Sequence, residues 1–410
     1  MTFSIIKKKK VMILGASILQ LPAILKAMKM GLDVVVVDMN PNAVGFKIKG
    51  ITKEFISTID KELVYEAAIR NNIDGIMTLA SDMPMRTVSY VAKKLNLNGI
   101  SEDTALKTTS KKHMRTTLKD HHVAIPFFAI ANSAKESIKI VHQNTNLIEN
   151  FIFKPVDSSG SRGVFLLEDT SDENCRKAFE YSSSFSRTGE VIIEEFMVGK
   201  EVSVETFSID GDCHIIQITD KITTGAPNFV EMGHSQPSEL PINTKEKIIT
   251  LAKEANKALG IKFGPSHTEI MVTNQGPKIV EIGARLGGDN IGTHLVPLST
   301  GVDMVEATIR LAIGEQVDIN VSFKKASAIK YIEVPSGIVK NISGLELAKN
   351  IKGVIQINIL RGIGEEVKKV SNSVDRIGFV IAQAQTSQEA NDICDKALNY
   401  LKIDVDKQRK

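Results

Sequence analysis

Residues 267–285 read HTEIMVTNQGPKIVEIGAR, two apolar segments that flank a turn at Asn274–Gly276. The turn predicts a β-hairpin in which Glu269 and Glu281 lie opposite each other on one face. Adjacent carboxylates repel unless they share a cation, and Mg²⁺ bridged to phosphate groups suits such oxygen ligands. Taken alone, paired strand glutamates usually face solvent. Arg285 could bind a carboxylate or an acyl phosphate through two parallel hydrogen bonds.

A second candidate phosphate site lies upstream, where the strand Phe151–Pro155 carries Lys154 and runs into the segment VDSSGSRGV at 156–164. Small, hydroxylated and glycine residues allow consecutive backbone N–H groups to face phosphate oxygens. A glycine-serine loop by itself is usually a mobile turn. The adjoining lysine favours a phosphate-covering loop, because a fixed ammonium neutralises developing phosphate charge. The candidate contacts in the loop are Ser159, Gly160, Ser161 and Gly163.

The segment VIIEEFMVGKE at 191–201 is an apolar strand that turns at Gly199 and restarts. Such a crossing exposes backbone N–H and C=O groups that could read the edge of an adenine, with Glu201 near the ribose hydroxyls. A plain hairpin with two exposed carboxylates explains the same residues, so this segment supports a nucleotide site only together with the others.

The first hundred residues alternate short apolar segments with helical periodicity, which is typical of helices packed on a parallel sheet. Ligands bind beyond the carboxyl ends of such strands. No complete GxGxxG follows the first strand, so a dinucleotide-dependent oxidoreductase is not favoured. The residues predicted around this crevice are Gly15, Ala16, Ser17, Asp38, Ser81 and Asp82.

The pattern changes at about residue 106 to strand pairs joined by turns, of which Asp210–Asp212 is the clearest. These strands are predicted to be antiparallel. A third segment, from about residue 326, carries further strands and a closing helix from Ser387 to about Leu401. The predicted fold class is α/β with α+β parts.

The chain has 51 Lys and Arg residues against 48 Asp and Glu residues, a formal net charge of +3. So small a charge provides no broad field toward nucleic acid or anionic membrane. No apolar segment approaches the roughly 20 residues of a membrane span. The three cysteines are far apart without CxxC spacing, so neither disulfides nor a zinc site is predicted. We expect a soluble cytoplasmic protein without nucleic-acid or membrane partners.

Together these segments resemble the ATP-grasp superfamily, in particular its carboxylate–amine ligases of the L-amino acid ligase and carbamoyl-phosphate-synthase-like branch. The resemblance covers nearly the whole chain, including Leu286–Asp289 and Val374–Gly378. It implies an N-terminal parallel α/β domain at 1–105, a linker helix and antiparallel lid at 106–190, a central catalytic domain at 191–325 and a small C-terminal α+β segment at 326–410.

The resemblance also implies ATP and Mg²⁺, with Mn²⁺ as an alternative metal. The implied nucleotide contacts are Lys111, Lys154, the loop residues named above, Glu194, Glu195, Phe196, Met197, Glu201 and Lys221. The implied metal ligands are Glu269 and Glu281. The implied substrate residues are Glu231, His234, Arg285, Gly287 and Gly288. Gly283 stands where many members have asparagine, which puts the number of metal ions in doubt.

The function implied is ATP-dependent formation of an amide bond through an acyl phosphate. The implied substrates are two small molecules: a carboxylate, which is an amino acid, and an amine. Lys154, Arg285 and, as a hypothetical base, His234 are the predicted catalytic residues. A purine-pathway or biotin-carboxylase-like enzyme and a nucleotide-binding protein without ligase activity remain as alternatives. Members of the superfamily are commonly homodimers.

Overall fold

A computed structural model describes residues 8–406 except 159, 161 and 227. The described chain forms four β-sheets with helices packed against them. No helix in these ranges is both long and apolar enough to cross a bilayer.

The N-terminal sheet is parallel, and three of its four strands are almost completely buried. Its strands are β1 Lys10–Leu14, β2 Asp33–Val37, β3 Thr52–Glu54 and β4 Gly75–Met77, and its helices are α1 Leu21–Lys29, α2 Lys61–Asn71 and α3 Pro84–Leu95. The strand order is β3-β2-β1-β4. Apolar side chains cover both faces of β1, β2 and β4, as is usual in parallel sheets, whereas the edge strand β3 is polar and largely exposed. Asp82 follows β4 at the carboxyl edge, the position predicted for a ligand crevice.

Two helices lead out of this sheet, α4 Glu102–Lys107 and α5 Lys111–Asp120. The Ser101 hydroxyl accepts a hydrogen bond from the Thr104 N–H and caps α4. The N–H of Lys111, the first residue of α5, donates to the Val156 carbonyl at 2.8 Å. This bond places Lys111 beside the glycine-serine loop.

The second sheet is antiparallel, in the order β5-β8-β6-β7. Two helices pack against it around a small core of Phe151, Phe153 and Phe179. The strands are β5 Phe128–Ala131, β6 Phe151–Pro155, β7 Phe165–Leu166 and β8 Val191–Glu195, and the helices are α6 Ala134–Asn144 and α7 Asp172–Ser183.

The central elements are long antiparallel strands and the helices that pack against them. They are β9 Lys200–Ile209, β10 Asp212–Thr223, β11 Glu231–Gln236, α8 Ile242–Leu259, β12 Gly264–Thr273, β13 Gly276–Gly283, α9 Val296–Thr300 and α10 Met304–Ala312. The predicted turn at Asp210–Asp212 joins β9 to β10, and Asn274–Gly276 joins β12 to β13. Both hairpins agree with the sequence prediction.

The C-terminal elements are β14 Ala326–Ile332, β15 Gly337–Ser343, α11 Leu345–Lys349, β16 Val354–Ile359, β17 Glu366–Val367, β18 Gly378–Ala384, α12 Ser387–Tyr400 and β19 Lys402–Asp406. Three of these strands complete an eight-stranded sheet of order β13-β12-β9-β10-β11-β14-β18-β16, and the others form a small sheet β17-β15-β19. The boundary predicted at residue 325 therefore falls between strands of one continuous sheet.

The mixture of one parallel and three largely antiparallel sheets agrees with the predicted fold class. The large sheet places β9, β10, β11, β12 and β13 side by side, so polar residues on these strands share one face. That face meets the carboxyl edge of the N-terminal sheet and the end of the second sheet.

Candidate active site

A cavity of about 340 Å³ opens where these three sheets meet. Among the described residues, seven carboxylates, five Lys or Arg side chains and two histidines line it. The predicted site residues that it brings together are Lys111, Lys154, Gly160, Glu195, Phe196, Met197, Glu201, Lys221, Glu231, His234, Glu269, Glu281, Arg285 and Gly288.

Glu269 and Glu281 are direct register partners on β12 and β13. The Lys111 Nζ atom lies 3.1 Å from Glu281 Oε1 and also donates to the Ser158 carbonyl at 2.8 Å. The Lys221 Nζ atom lies 3.1 Å from Glu269 Oε1. The predicted pairing of the two carboxylates is thus present, and each carboxylate has its own lysine partner.

Lys221 is a buried ammonium surrounded by acids. Its Nζ atom is 2.5 Å from Glu201 and 3.5 Å from Glu231, besides its contact with Glu269. Burial disfavours the charged amine, but the three carboxylates outweigh burial and raise the Lys221 pKa well above its ordinary value. The resemblance implied a nucleotide contact for Lys221, and the structure places this lysine in the cavity lining, paired with acids.

Lys154 is held by Glu194, whose carboxylate is 1% exposed. Glu194 Oε2 accepts from Lys154 Nζ at 2.7 Å, and Oε1 accepts from Arg115 Nε at 2.5 Å. Burial opposes the ionised form of Glu194, yet the two cations lower its pKa to about 2. The Glu194 side chain does not line the cavity and holds the Lys154 ammonium, so a nucleotide contact of Glu194 through its backbone stays a prediction.

The neighbouring residues of this strand end do reach the cavity. Glu195 pairs with Lys278 at 3.1 Å. The ring of Phe196 packs against that of Phe229, with centroids 5.7 Å apart. Phe196, Phe229 and Met197 form one wall of an apolar slot in the cavity. Its other walls include Ile152, Met271 and Val280.

A buried acid–histidine pair lies behind Glu269, and the sequence prediction missed it. His267 Nδ1 lies 2.7 Å from Glu205 Oε1, and His267 Nε2 lies 3.4 Å from Glu269 Oε1. Burial alone would lower the His267 pKa, but the two carboxylates raise it to about 9. Both carboxylates therefore favour the protonated form of His267.

Gly287 packs against this pair and not against the cavity. A Cβ at Gly287 would lie 2.7 Å from His267 Nδ1 and 2.8 Å from Glu205 Oε2. Gly288 lines the cavity, whereas Gly287 packs closely over the histidine, and its contact with substrate stays a prediction. A histidine two residues before a predicted metal ligand was the only sequence signal for this arrangement.

Arg285 is paired with an acid from the N-terminal sheet. Its Nε and Nη2 atoms donate to Asp82 Oδ1 and Oδ2 at 2.7 and 3.2 Å, and Nη1 donates to the Leu286 carbonyl at 3.0 Å. Burial opposes the charge of Arg285, and Asp82 raises its pKa above the ordinary value nonetheless. Asp82 was predicted at a crevice, but its partner could not be read from the sequence.

The glycine-serine loop covers one side of the cavity. Ser158, Gly160, Arg162 and Val164 line it. Gly163 has a φ of +75° and packs against Phe185, and it is not among the residues that line the cavity, so its phosphate contact stays a prediction. The predicted contacts Ser159 and Ser161 lie outside the described residues.

The fold and this geometry agree with the comparisons to known proteins. A family model described as an ATP-grasp domain matches residues 147–293, and one described as L-amino acid ligase C-terminal domain 2 matches residues 330–406. The first match includes the loop, Lys154, Glu269, Glu281 and Arg285.

Relatives of two kinds match much of the chain. A phosphoribosylamine–glycine ligase of Methanococcus maripaludis is 27% identical over 322 residues, 72% of each chain. The alanine–anticapsin ligase of Bacillus subtilis is 26% identical over 291 residues, 63% of this chain and 58% of its own. The crystal structure of an L-amino acid ligase from Bacillus licheniformis matches with a TM-score of 0.82 at 21% identity, over 98% of this chain and 99% of its own.

The chain that both family models match thus contains the lysines, the loop and the paired strand glutamates in this order. The fold follows from the structural likeness, and the ligase assignment follows from the family models and the sequence relatives. Residues 147–293 of this chain thus match an ATP-grasp domain, residues 330–406 match an L-amino acid ligase C-terminal domain, and the sequence relatives named here are ligases.

Proposed function

We propose that this ligase uses ATP and Mg²⁺ to activate the carboxylate of one amino acid and joins it to the amine of a second substrate. The observation that carries the proposal is the register pair Glu269 and Glu281, each in contact with a buried or half-buried lysine in one cavity. Two acids and two cations in this arrangement can hold a metal and the phosphates that it bridges.

The residues fit a magnesium ion by their chemistry. Glu269 and Glu281 supply carboxylate oxygens on adjacent strands, the ligand type that Mg²⁺ prefers, and the ion keeps several waters as well. Gly283 offers no side-chain ligand in place of the asparagine common elsewhere. When bound, Mg²⁺ would neutralise charge on the phosphate oxygens as the phosphoryl group is transferred.

The nucleotide is proposed to enter with its base in the apolar slot beside Phe196 and Met197, and with its ribose near Glu201. Lys154, fixed by Glu194, and Lys111, fixed by Glu281, would then contact phosphate oxygens. Because both ammonium groups are already oriented by carboxylates, little rearrangement is needed when charge develops. The loop at 158–164 would exclude water from the acyl phosphate.

The proposed chemistry has two steps. A substrate carboxylate oxygen attacks the γ-phosphorus, the bond from that phosphorus to the ADP oxygen breaks, and an acyl phosphate forms. The amine nitrogen then attacks the acyl carbon and phosphate leaves. Arg285 is proposed to stabilise the oxyanion, and His234 is proposed to accept the proton from the attacking amine.

Two similarities favour an amino acid over a phosphorylated sugar amine. Residues 330–406 match the L-amino acid ligase C-terminal domain 2, and the alanine–anticapsin ligase is among the sequence relatives. A phosphate monoester carries a charge of about −1.5 to −2 and needs strong cationic donors. Lys221, Arg285 and Arg376 are each paired with an acid at this end of the site. These observations support amino acid substrates despite the similarity to phosphoribosylamine–glycine ligases.

Phosphate release with ATP and Mg²⁺ over pairs of amino acids tests the proposal, with mass spectrometry to identify an amide product. Release that depends on two amino acids is the expected result. Release that depends on bicarbonate, or on phosphoribosylamine with glycine, would replace the proposal by the corresponding alternative. Tight ATP binding without substrate-dependent ADP formation would indicate a nucleotide-binding protein.

A homodimer remains a prediction for this chain. Analytical ultracentrifugation over a range of protein concentrations distinguishes a dimer from a monomer.

A further inference from the structure

Arg376 lies in the C-terminal segment, yet its guanidinium reaches the cavity wall. Nη1 and Nη2 donate to Asp289 Oδ2 and Oδ1 at 2.6 and 2.7 Å, a bidentate pair. Nη1 also donates to the Glu231 carbonyl at 2.9 Å, and Nε donates to the Ser373 carbonyl at 2.9 Å. One side chain therefore ties the turn before β18 to the loop after β13 and to the start of β11.

The same guanidinium is stacked on an aromatic ring. Its central carbon lies 3.7 Å from the ring centroid of Tyr331 on β14, and the Arg376 side chain is 8% exposed. A planar guanidinium that is buried, stacked and bonded on both edges is held in one orientation, which a lysine cannot reproduce. The arrangement is therefore specific to arginine.

Asp289, the partner of Arg376, lines the cavity. Asp289 and Asn290 both have left-handed backbone conformations, with φ of +51° and +62°. Residues other than glycine rarely adopt this left-handed backbone conformation, so the loop needs contacts that stabilise it. Asp289 Oδ2 also lies 3.4 Å from His234 Nε2. The bidentate pair thus connects the loop conformation to the position of the proposed base.

We propose that Arg376 is a positioning residue for the substrate end of the site, acting through Asp289 on the loop 286–291 and on His234. This inference rests on the proposed function for its kinetic consequence. None of the described hydrogen bonds of Arg376 goes to Lys111, Lys154, Glu269 or Glu281. Its loss should therefore affect the amino acid substrates and not the nucleotide.

The positioning itself is tested without any substrate. Hydrogen–deuterium exchange would be measured for wild type, Arg376→Gln and the control Lys330→Gln. Lys330 is the neighbour of Tyr331 on β14 and pairs with Asp395 outside the cavity, so the control removes a charge from the same strand region. We expect at least fivefold faster exchange over 286–291 in Arg376→Gln alone. Unchanged exchange in that loop would overturn the inference.

The kinetic consequence is a split between substrates. With the amino acid pair that gives most phosphate release in the wild type, Arg376→Gln and Asp289→Asn should each lower kcat/KM for the amino acids at least tenfold. The KM for ATP should change less than twofold, and Arg376→Lys should recover only part of the loss. The double variant should be no worse than either single variant, because the two residues act as a pair.

A rise in the KM for ATP that matches the loss for the amino acids would contradict the inference, as would additive effects in the double variant. These results differ from a failure of the proposed function. If the wild type shows no amino-acid-dependent ADP formation, the function is wrong, while the exchange experiment still decides whether Arg376 holds the loop.

Discussion

Glu269 and Glu281 face each other across β12 and β13, and each is paired with a different lysine. In this arrangement the carboxylates are balanced by Lys111, which is proposed to contact phosphate, and by Lys221, an implied nucleotide contact. Mg²⁺ bound between the acids would take over their charge and leave the ammonium groups for the nucleotide. Metal and nucleotide binding should therefore be mutually reinforcing.

Removing either carboxylate tests this coupling. Glu269→Gln and Glu281→Gln should each lower kcat by about 10²-fold or more, the scale of losing one preorganised electrostatic contact to a transition state. Both variants should also need a higher Mg²⁺ concentration for half-maximal ADP release. ADP release measured over a Mg²⁺ titration checks this prediction.

The control for these variants is Glu190→Gln, which removes a carboxylate that pairs with Lys112 and does not line the cavity. It should keep the wild-type Mg²⁺ dependence. If the two strand glutamate variants also kept it, neither acid would be a metal ligand.

A second prediction concerns Glu194, which anchors Lys154. Its pKa is about 2 in the folded protein against an ordinary value of 4.5. A group with a lowered pKa stabilises the fold fully above its unfolded value, and that contribution is lost as the pH falls through the folded value. Glu194→Gln should lower the free energy of unfolding by about 3 kcal/mol at neutral pH, because it leaves Arg115 and Lys154 without their buried partner.

The difference in stability between wild type and Glu194→Gln should shrink as the pH falls from 4.5 toward 2. Urea unfolding at a series of pH values measures it. The adjacent variant Glu195→Gln is the comparison, because its half-exposed pair with Lys278 contributes less than about 1 kcal/mol. A difference that is small at neutral pH or does not change with pH would contradict the role given to Glu194.

The elements of the site that are local in sequence were predictable. The hairpin containing Glu269 and Glu281 follows from a turn between two apolar segments, and Lys154 precedes its loop directly. The predictions are less accurate where contacts join distant residues. Asp82 meets Arg285 across 203 positions, and Asp289 meets Arg376 across 87.

Glu194 shows why spacing alone was insufficient. It lies on the strand that the resemblance assigned to the nucleotide, and as the register partner of Ile152 it shares the sheet face that carries Lys154. Arg115 reaches this carboxylate from α5, so Glu194 is buried between Arg115 and Lys154. The contact with Arg115 joins residues 79 positions apart, which spacing within the strand does not indicate.

A third prediction uses adjacent glycines. A Cβ at Gly287 would meet the His267 and Glu205 pair at less than 3 Å, whereas a Cβ at Gly288 has nothing within 4 Å. Gly287→Ala should lower the free energy of unfolding by about 1–3 kcal/mol through overpacking. Gly288→Ala should leave it within about 0.5 kcal/mol. Thermal or urea unfolding of both variants checks the difference, and equal stabilities would show that the loop relaxes freely.

A fourth prediction concerns the pair that joins the N-terminal sheet to the hairpin. Arg285 uses Nε and Nη2 for Asp82 and Nη1 for the Leu286 carbonyl, so the remaining N–H groups on Nη1 and Nη2 have a fixed direction. Arg285→Lys keeps the charge but cannot make these bonds together, so kcat should fall about 10²-fold with little change in ATP affinity.

Asp82→Asn is the complementary test, since it leaves Arg285 intact and weakens only its orientation. The variant should lower kcat less than Arg285→Lys does, by about tenfold, because an amide can accept one of the two hydrogen bonds. Arg310→Lys is the control, as Arg310 pairs with Glu306 and Glu315 away from the cavity. Steady-state kinetics with ATP titrations separate the possibilities. Weakened ATP binding with an unchanged kcat in Arg285→Lys would assign Arg285 to nucleotide binding and not to the acyl-transfer step. Asp82 would then hold a side chain that contacts phosphate.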